Sequence, residues 1–229
     1  MNEPSSRVSV VMVTRDRRED VLRTLDRLRR LPERPPVVVV DNGSTDGTPA
    51  AVEANAPDVR VIRAGRNLGG AGRNLGVAAA ETPYVAFCDD DSWPEPGALR
   101  HAANVLDACP RLALLHGRVL GPDGRDDPFC VELGRSPLPT ESGMPGPALL
   151  GFMACAAVVR REPFLAAGGF EERFGVGGEE DLLALDLAAA GWWLCYDPGY
   201  VVHHHPSVAR PRAGRRATVI RNAVWTAWL

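Results

Sequence analysis

Val37-Val38-Val39-Val40-Asp41-Asn42-Gly43-Ser44-Thr45-Asp46-Gly47 runs four β-branched residues straight into a block of turn formers. Four consecutive valines fit a strand covered on both faces, as in a parallel sheet. The block after them is a loop at the strand's carboxyl end, and Pro49 then opens a helix at its first position. The same grammar extends in both directions. Val8 to Val13 is a second buried strand, and Val21, Leu22, Leu25, Leu28 and Leu31 recur at helical spacing until Pro32 ends them. Downstream, Val59 to Arg63 is a strand, Gly70 to Ala80 a helix and Tyr84 to Cys88 a fourth strand. Alternating strands and helices predict right-handed crossovers, hence an α/β fold: a mostly parallel sheet with helices on both faces.

Further elements follow at Pro96 to Ala108 (helix), Leu112 to His116 (strand), Gly151 to Val159, Glu180 to Ala190 (helix) and Trp192 to Tyr196 (strand). The Gly/Pro-rich stretch from Gly121 to Gly146 reads as a variable loop or lid, or as plain surface irregularity. No internal repeat and no long linker divides the chain. One domain over residues 1–205 is expected, with a nucleotide-binding half at 8–116, an acceptor half at 117–205 and a basic segment at 206–229.

The 229 residues carry 29 acidic and 26 basic side chains, net −3, which excludes nucleic-acid binding by gross positive charge. All the basic residues are arginine. The absence of lysine removes Schiff-base chemistry, P-loops and lysine-dependent phosphate enzymes. Five dispersed cysteines without a Cys-x-x-Cys pair indicate a reducing compartment, and the polar N-terminus lacks a signal-peptide core. The longest apolar run, Pro147 to Val159, is too short for the roughly 20 residues of a membrane span. A cytoplasmic protein is expected.

In such a sheet, ligands bind beyond the carboxyl ends of the strands. Three loops meet that condition: Thr14 to Asp16, Asp41 to Asp46 and Asp89 to Asp91. Three adjacent carboxylates at a strand end repel one another and suit a divalent cation; a solvated turn leading to Pro94 to Pro96 is the competing reading. Asp41 is placed to accept a hydrogen bond from a base or ribose, or to make an Asx turn. Asn67-Leu68-Gly69-Gly70-Ala71-Gly72-Arg73-Asn74 is a glycine-rich approach to a helix, with Arg73 and Asn74 as phosphate or ribose contacts. Glu179, Glu180 and Asp181 cluster at a helix start, where acids favour the dipole or one serves as a general base. His203-His204-His205 offers imidazole to a metal or phosphate, and strand alternation lets at most two of them share one site.

Taken in order, these segments resemble the family 2 glycosyltransferases of GT-A fold. Val10-Val11-Met12-Val13-Thr14-Arg15-Asp16-Arg17 is similar to the family's first strand and nucleotide-contacting turn. Val39 to Thr48 resembles its base-binding segment, Asn67 to Gly76 its next block, and Asp89-Asp90-Asp91 its Asp-x-Asp motif. The resemblance covers Val8 to His205. It implies inverting transfer of a hexosyl group from a UDP- or dTDP-sugar to a hydroxyl of a carbohydrate, lipid-linked or small-molecule acceptor, with Mg²⁺ or Mn²⁺ as cofactor. Thr14, Arg15, Asp16, Asp41, Asn67, Gly72, Arg73, Asp89 and Asp90 are the implied nucleotide contacts. Asp89 and Asp91, with His204 or His205, are the implied metal ligands. Counting back from Gly191-Trp192 puts Glu180 on the family's basic aspartate, with Glu179 before it and Asp181 as the alternative. Here the chain departs from the pattern, having glutamate where the family has aspartate.

Arg210, Arg212, Arg215, Arg216 and Arg221 with Trp225 and Trp228 suit peripheral contact with the inner face of a membrane, or a solvated helix packing its tryptophans on the domain. The pattern stops at Leu229, as a trimmed end would. Two other functions compete: a nucleotide-sugar-binding domain without turnover, and a sugar nucleotidyltransferase, whose glycine-rich first turn and lysine are both missing.

Overall fold

The computed structural model describes residues 6–207 and 215–228. The first half alternates as the valine runs demand: β1 (Val8–Thr14), α1 (Arg18–Arg29), β2 (Val37–Asp41), α2 (Thr48–Asn55), β3 (Arg60–Arg63), α3 (Gly72–Ala79) and β4 (Tyr84–Asp89). Every residue of β2 is buried. β1 lies between β2 and β4 and is parallel to both, with Thr14 opposite Asp41 and Val13 opposite Asp89. That register brings three polar strand ends to one edge.

The second half comprises β5 (Ser92–Pro94), α4 (Ala98–Ala108), β6 (Leu112–Leu120), α5 (Pro128–Leu133), β7 (Ala157–Arg160), α6 (Arg161–Ala166), α7 (Glu179–Ala189), β8 (Trp193–His204) and α8 (Arg215–Thr226). Among the described residues the strands form one sheet in the order β3-β2-β1-β4-β7-β6-β8-β5. It is an α/β sheet as expected, but a mixed one. β7 is antiparallel to both β4 and β6, while β6 and β8 are parallel. Reversing β7 sets its beginning beside the end of β4, at the edge where the polar strand ends gather.

Two differences from the sequence reading matter for the site. The residues after Asp91 form β5, paired antiparallel to β8 with Ser92 opposite His204, so the aspartate run is strapped to the histidine triplet. β8 also continues well past Tyr196, which delivers those histidines. The core runs under the whole sheet; Phe87 packs against Phe164 and Phe170 at ring separations of 5.5 and 5.4 Å.

Candidate active site

The three aspartates after β4 face different surroundings because the chain turns there. Asp90 is buried: its Oδ2 accepts from Thr14 Oγ1 at 2.9 Å and its Oδ1 from Arg17 Nη1 at 3.4 Å. Burial outweighs Arg17 and pushes its pKa up to about 7. Thr14 and Asp90, both expected to contact nucleotide, thus hold each other beneath the surface. Asp89 remains at the edge, and Arg73 Nη2 donates to its Oδ1 at 2.6 Å. Asp91 accepts from the Ser207 backbone N–H through Oδ2 at 2.9 Å, and its Oδ1 lies 3.4 Å from His204 Nε2.

Strand alternation divides the histidines. His203 stacks on Trp93 and reaches Glu95 Oε1 at 3.0 Å; His205 meets the same indole edge-on, with ring centroids 4.7 Å apart. His204 points the other way. Its Nε2 is buried without a hydrogen bond, and a ring nitrogen lies with an Asp89 oxygen and Cys155 Sγ in a group whose atoms are all within 4.8 Å of one another. Imidazole nitrogen, carboxylate oxygen and thiol sulfur at these separations are a donor set that can hold a divalent cation; Asp91, the other carboxylate expected as a ligand, is outside this group and lies against His204. Of the two histidines expected as ligands, His204 is at this cluster; the His205 ring is held on the opposite side by Trp93.

The glycine-rich block packs instead of cradling. A Cβ at Gly72 would come within 2.6 Å of Asn42 Oδ1, and one at Gly70 would run into the Glu179 carboxylate. Asn42 Nδ2 donates to Gly69 O at 2.9 Å, while Asn67 accepts from the Gly69 N–H and is otherwise exposed. Gly72 is therefore a close-approach position, and Arg73 is buried with its guanidinium on Asp89. Desolvation opposes its charge, yet Asp89, Glu179 and Glu180 hold its pKa above the usual value. Arg15 is exposed and pairs with Asp16 at 3.5 Å. Asp16, at φ 52°, bridges to the neighbouring loop by accepting from the Thr45 N–H at 2.7 Å. Asp41 Oδ2 accepts from the Ser44 N–H, three residues on, at 3.1 Å, which is one residue longer than an Asx turn, and its Oδ1 is buried without a partner.

The first turn of α7 separates its three acids. Glu179 is buried and accepts from the Gly177 N–H. Glu180 is partly buried, and desolvation together with the Glu179 charge raises its pKa, with Arg73 opposing. Asp181 is exposed; a Cβ at Gly151 would lie 3.3 Å from its Oδ1.

Residues 9–166 match the profile described as "Glycosyl transferase family 2". The chain belongs to this family. It is a glycosyltransferase. This enzyme is 31% identical over 230 residues to an N-acetylglucosaminyl-diphospho-decaprenol L-rhamnosyltransferase of Mycobacterium tuberculosis, covering 86% of this chain and 75% of that protein. It is 30% identical over 226 residues to a pre-mycofactocin glycosyltransferase of the same species, covering 93% of this chain and 46% of the relative. Its fold matches the Pyrobaculum calidifontis mannosyltransferase PcManGT, solved with GDP-Man and Mn²⁺, at TM-score 0.71 and 26% identity, over 95% of this chain and 61% of that one. It also matches Staphylococcus aureus TarS residues 1–349 at TM-score 0.72 and 18% identity, over 96% of this chain and 65% of that one.

Two residues that the sequence does not single out stand beside the aspartates after β4; in sequence, Arg17 reads only as the end of its turn. Arg17 lies 3.4 Å from Asp90 and 3.7 Å from Asp91, directly after Asp16 with its left-handed backbone. Cys155 carried no signal at all, since only the reversed β7 brings it to Asp89.

Proposed function

We propose that the enzyme transfers a hexosyl group from a UDP- or dTDP-sugar to an acceptor hydroxyl with inversion, with Glu180 as base and a divalent cation held by Asp89, Asp91 and His204. The reading is carried by Arg73, whose buried guanidinium touches Asp89 and feels the charges of Glu179 and Glu180. One guanidinium thus pairs with the donor-side carboxylate and sits within the field of the base-side acids, which supports placing both halves of an in-line displacement at this edge.

Asp41 Oδ1, buried and unpartnered, accepts from a ring N–H of the nucleobase. Glu180 takes the proton of the acceptor hydroxyl as its oxygen bonds to the anomeric carbon and the bond from that carbon to the diphosphate oxygen breaks. Its raised pKa matches a base working near neutrality. When bound, Mg²⁺ or Mn²⁺ supplies positive charge against the departing diphosphate; Mn²⁺ in the mannosyltransferase structure supports this.

The rhamnosyltransferase relative, whose name specifies a diphospho-decaprenol acceptor, supports a lipid-linked acceptor, which a membrane would carry. None of the described helices is long and apolar enough to cross one; the arginines and tryptophans of the C-terminal segment support peripheral contact there. Within that segment Trp225 packs on Phe174 and Arg221 donates to Phe174 O at 3.0 Å, whereas Trp228 is 87% exposed. Arg210 and Arg212 lie outside the described residues.

The test is turnover of UDP- and dTDP-hexoses on a lipid-diphosphate acceptor, with the anomeric configuration of the product read by NMR. A product of inverted configuration is expected; a retained one overturns the mechanism. Nucleotide-sugar binding without transfer on any acceptor, unaffected by Glu180→Gln, favours the non-catalytic alternative.

A further inference from the structure

Cys155 enters the metal cluster from an element that belongs to none of the recognised motifs. It sits in the 3-10 turn Ala154–Ala156 that leads into β7. Because β7 is antiparallel to β4, with Ala86 opposite Val158, this turn lies against the end of β4. Asp89, Cys155 and His204 then offer one oxygen, one sulfur and one nitrogen, all within 4.8 Å of one another. Cys155 is 5% exposed. The thiols of Cys88 and Cys109 donate to the carbonyls of Ser92 and Gly143; that of Cys155 makes no hydrogen bond among the described residues.

We propose that Cys155 is a metal-selecting residue: it supplies a sulfur ligand beside Asp89 and His204 that favours thiophilic cations such as Zn²⁺ and Cd²⁺ over the Mg²⁺ or Mn²⁺ of turnover. Carboxylate, imidazole and thiolate together form a zinc-type donor set. Hard Mg²⁺ takes oxygen ligands and gains little from sulfur. As the metal–sulfur bond forms, the thiol proton passes to solvent, so uptake of a thiophilic ion releases a proton. The inference rests on the metal reading of the cluster.

Co²⁺ titration of the full chain, followed by absorbance, tests it without turnover. A sulfur-to-cobalt charge-transfer band is expected in the wild type and in Cys130→Ser, and is expected to vanish in Cys155→Ser and Cys155→Ala. Zn²⁺ affinity in these two variants should fall by at least the roughly 10–100-fold that loss of an outer-shell partner costs. The wild-type band needs no variant to report sulfur ligation, and circular dichroism verifies that each variant folds. A band that persists in Cys155→Ser overturns the inference. So does a wild type that binds Mn²⁺ and nucleotide but shows no band. A wild type that binds neither Co²⁺ nor Mn²⁺ overturns the metal reading beneath it as well.

Discussion

Arg73 Nη2 lies 2.6 Å from Asp89 Oδ1, with the two side chains 10% and 20% exposed. Removing this guanidinium strands carboxylates on both sides of the site. Breaking a buried pair from one side typically costs about 3–5 kcal/mol, so Arg73→Met should lower the urea midpoint accordingly. A stability equal to wild type would show that the charge has no such role.

Glu180→Gln should leave nucleotide binding intact while transfer falls by about 10²–10⁴-fold, the usual contribution of a general base. Asp181→Asn, on an exposed residue, should retain most activity. Single-turnover rates separate the two; survival of Glu180→Gln with failure of Asp181→Asn moves the base one residue along.

The activity profile should bear the mark of the raised Glu180 pKa. A base works when ionised, so kcat/KM rises with pH through its pKa, and raising that pKa moves the acidic limb to higher pH than an ordinary glutamate near about 4.3 gives. An acidic limb at or below that value contradicts the role.

Asp90 governs stability with the opposite consequence. Its folded pKa of about 7 exceeds the unfolded value, so the folded state holds a proton that the unfolded state releases. This contribution is fully present below the unfolded pKa near about 3.9 and is lost as pH rises through about 7. Asp90→Asn, measured by urea melts in chelator, should flatten the stability profile across that window. An unchanged slope would locate the pH dependence elsewhere.

Gly69, at φ +59°, lies so close that a Cβ would run into the Gly175 backbone. Gly69→Ala should destabilise by about 1–3 kcal/mol through overpacking and loosen the joint between the glycine-rich block and the loop before α7. Thermal melts report the first effect and a fall in kcat the second; a silent substitution would mean that this seam yields freely.

Much of this was legible in advance because valine runs and turn chemistry are local signals. Val8 to Val13 and Val37 to Val40 announce buried strands, and their carboxyl ends mark the edge where a ligand is expected. Alternation also predicted that the His203 to His205 triplet would be divided, although only Trp93 shows which way. The glycines between Asn67 and Asn74 were harder: a phosphate cradle and a packing seam require the same residue, and what distinguishes them is Glu179, more than a hundred positions away. Reversal of β7 has no local signature, since an antiparallel strand buried on both faces reads like a parallel one. Cys155 and the mixed half of the sheet stayed hidden for that reason.

The most direct measurement is calorimetric titration of the wild type with UDP, dTDP and GDP, each with and without Mn²⁺, repeated on Asp91→Asn and His204→Ala. Tighter binding of UDP or dTDP with the cation, lost in both variants, is expected. Nucleotide affinity indifferent to Mn²⁺ in the folded wild type would contradict the metal-dependent donor site.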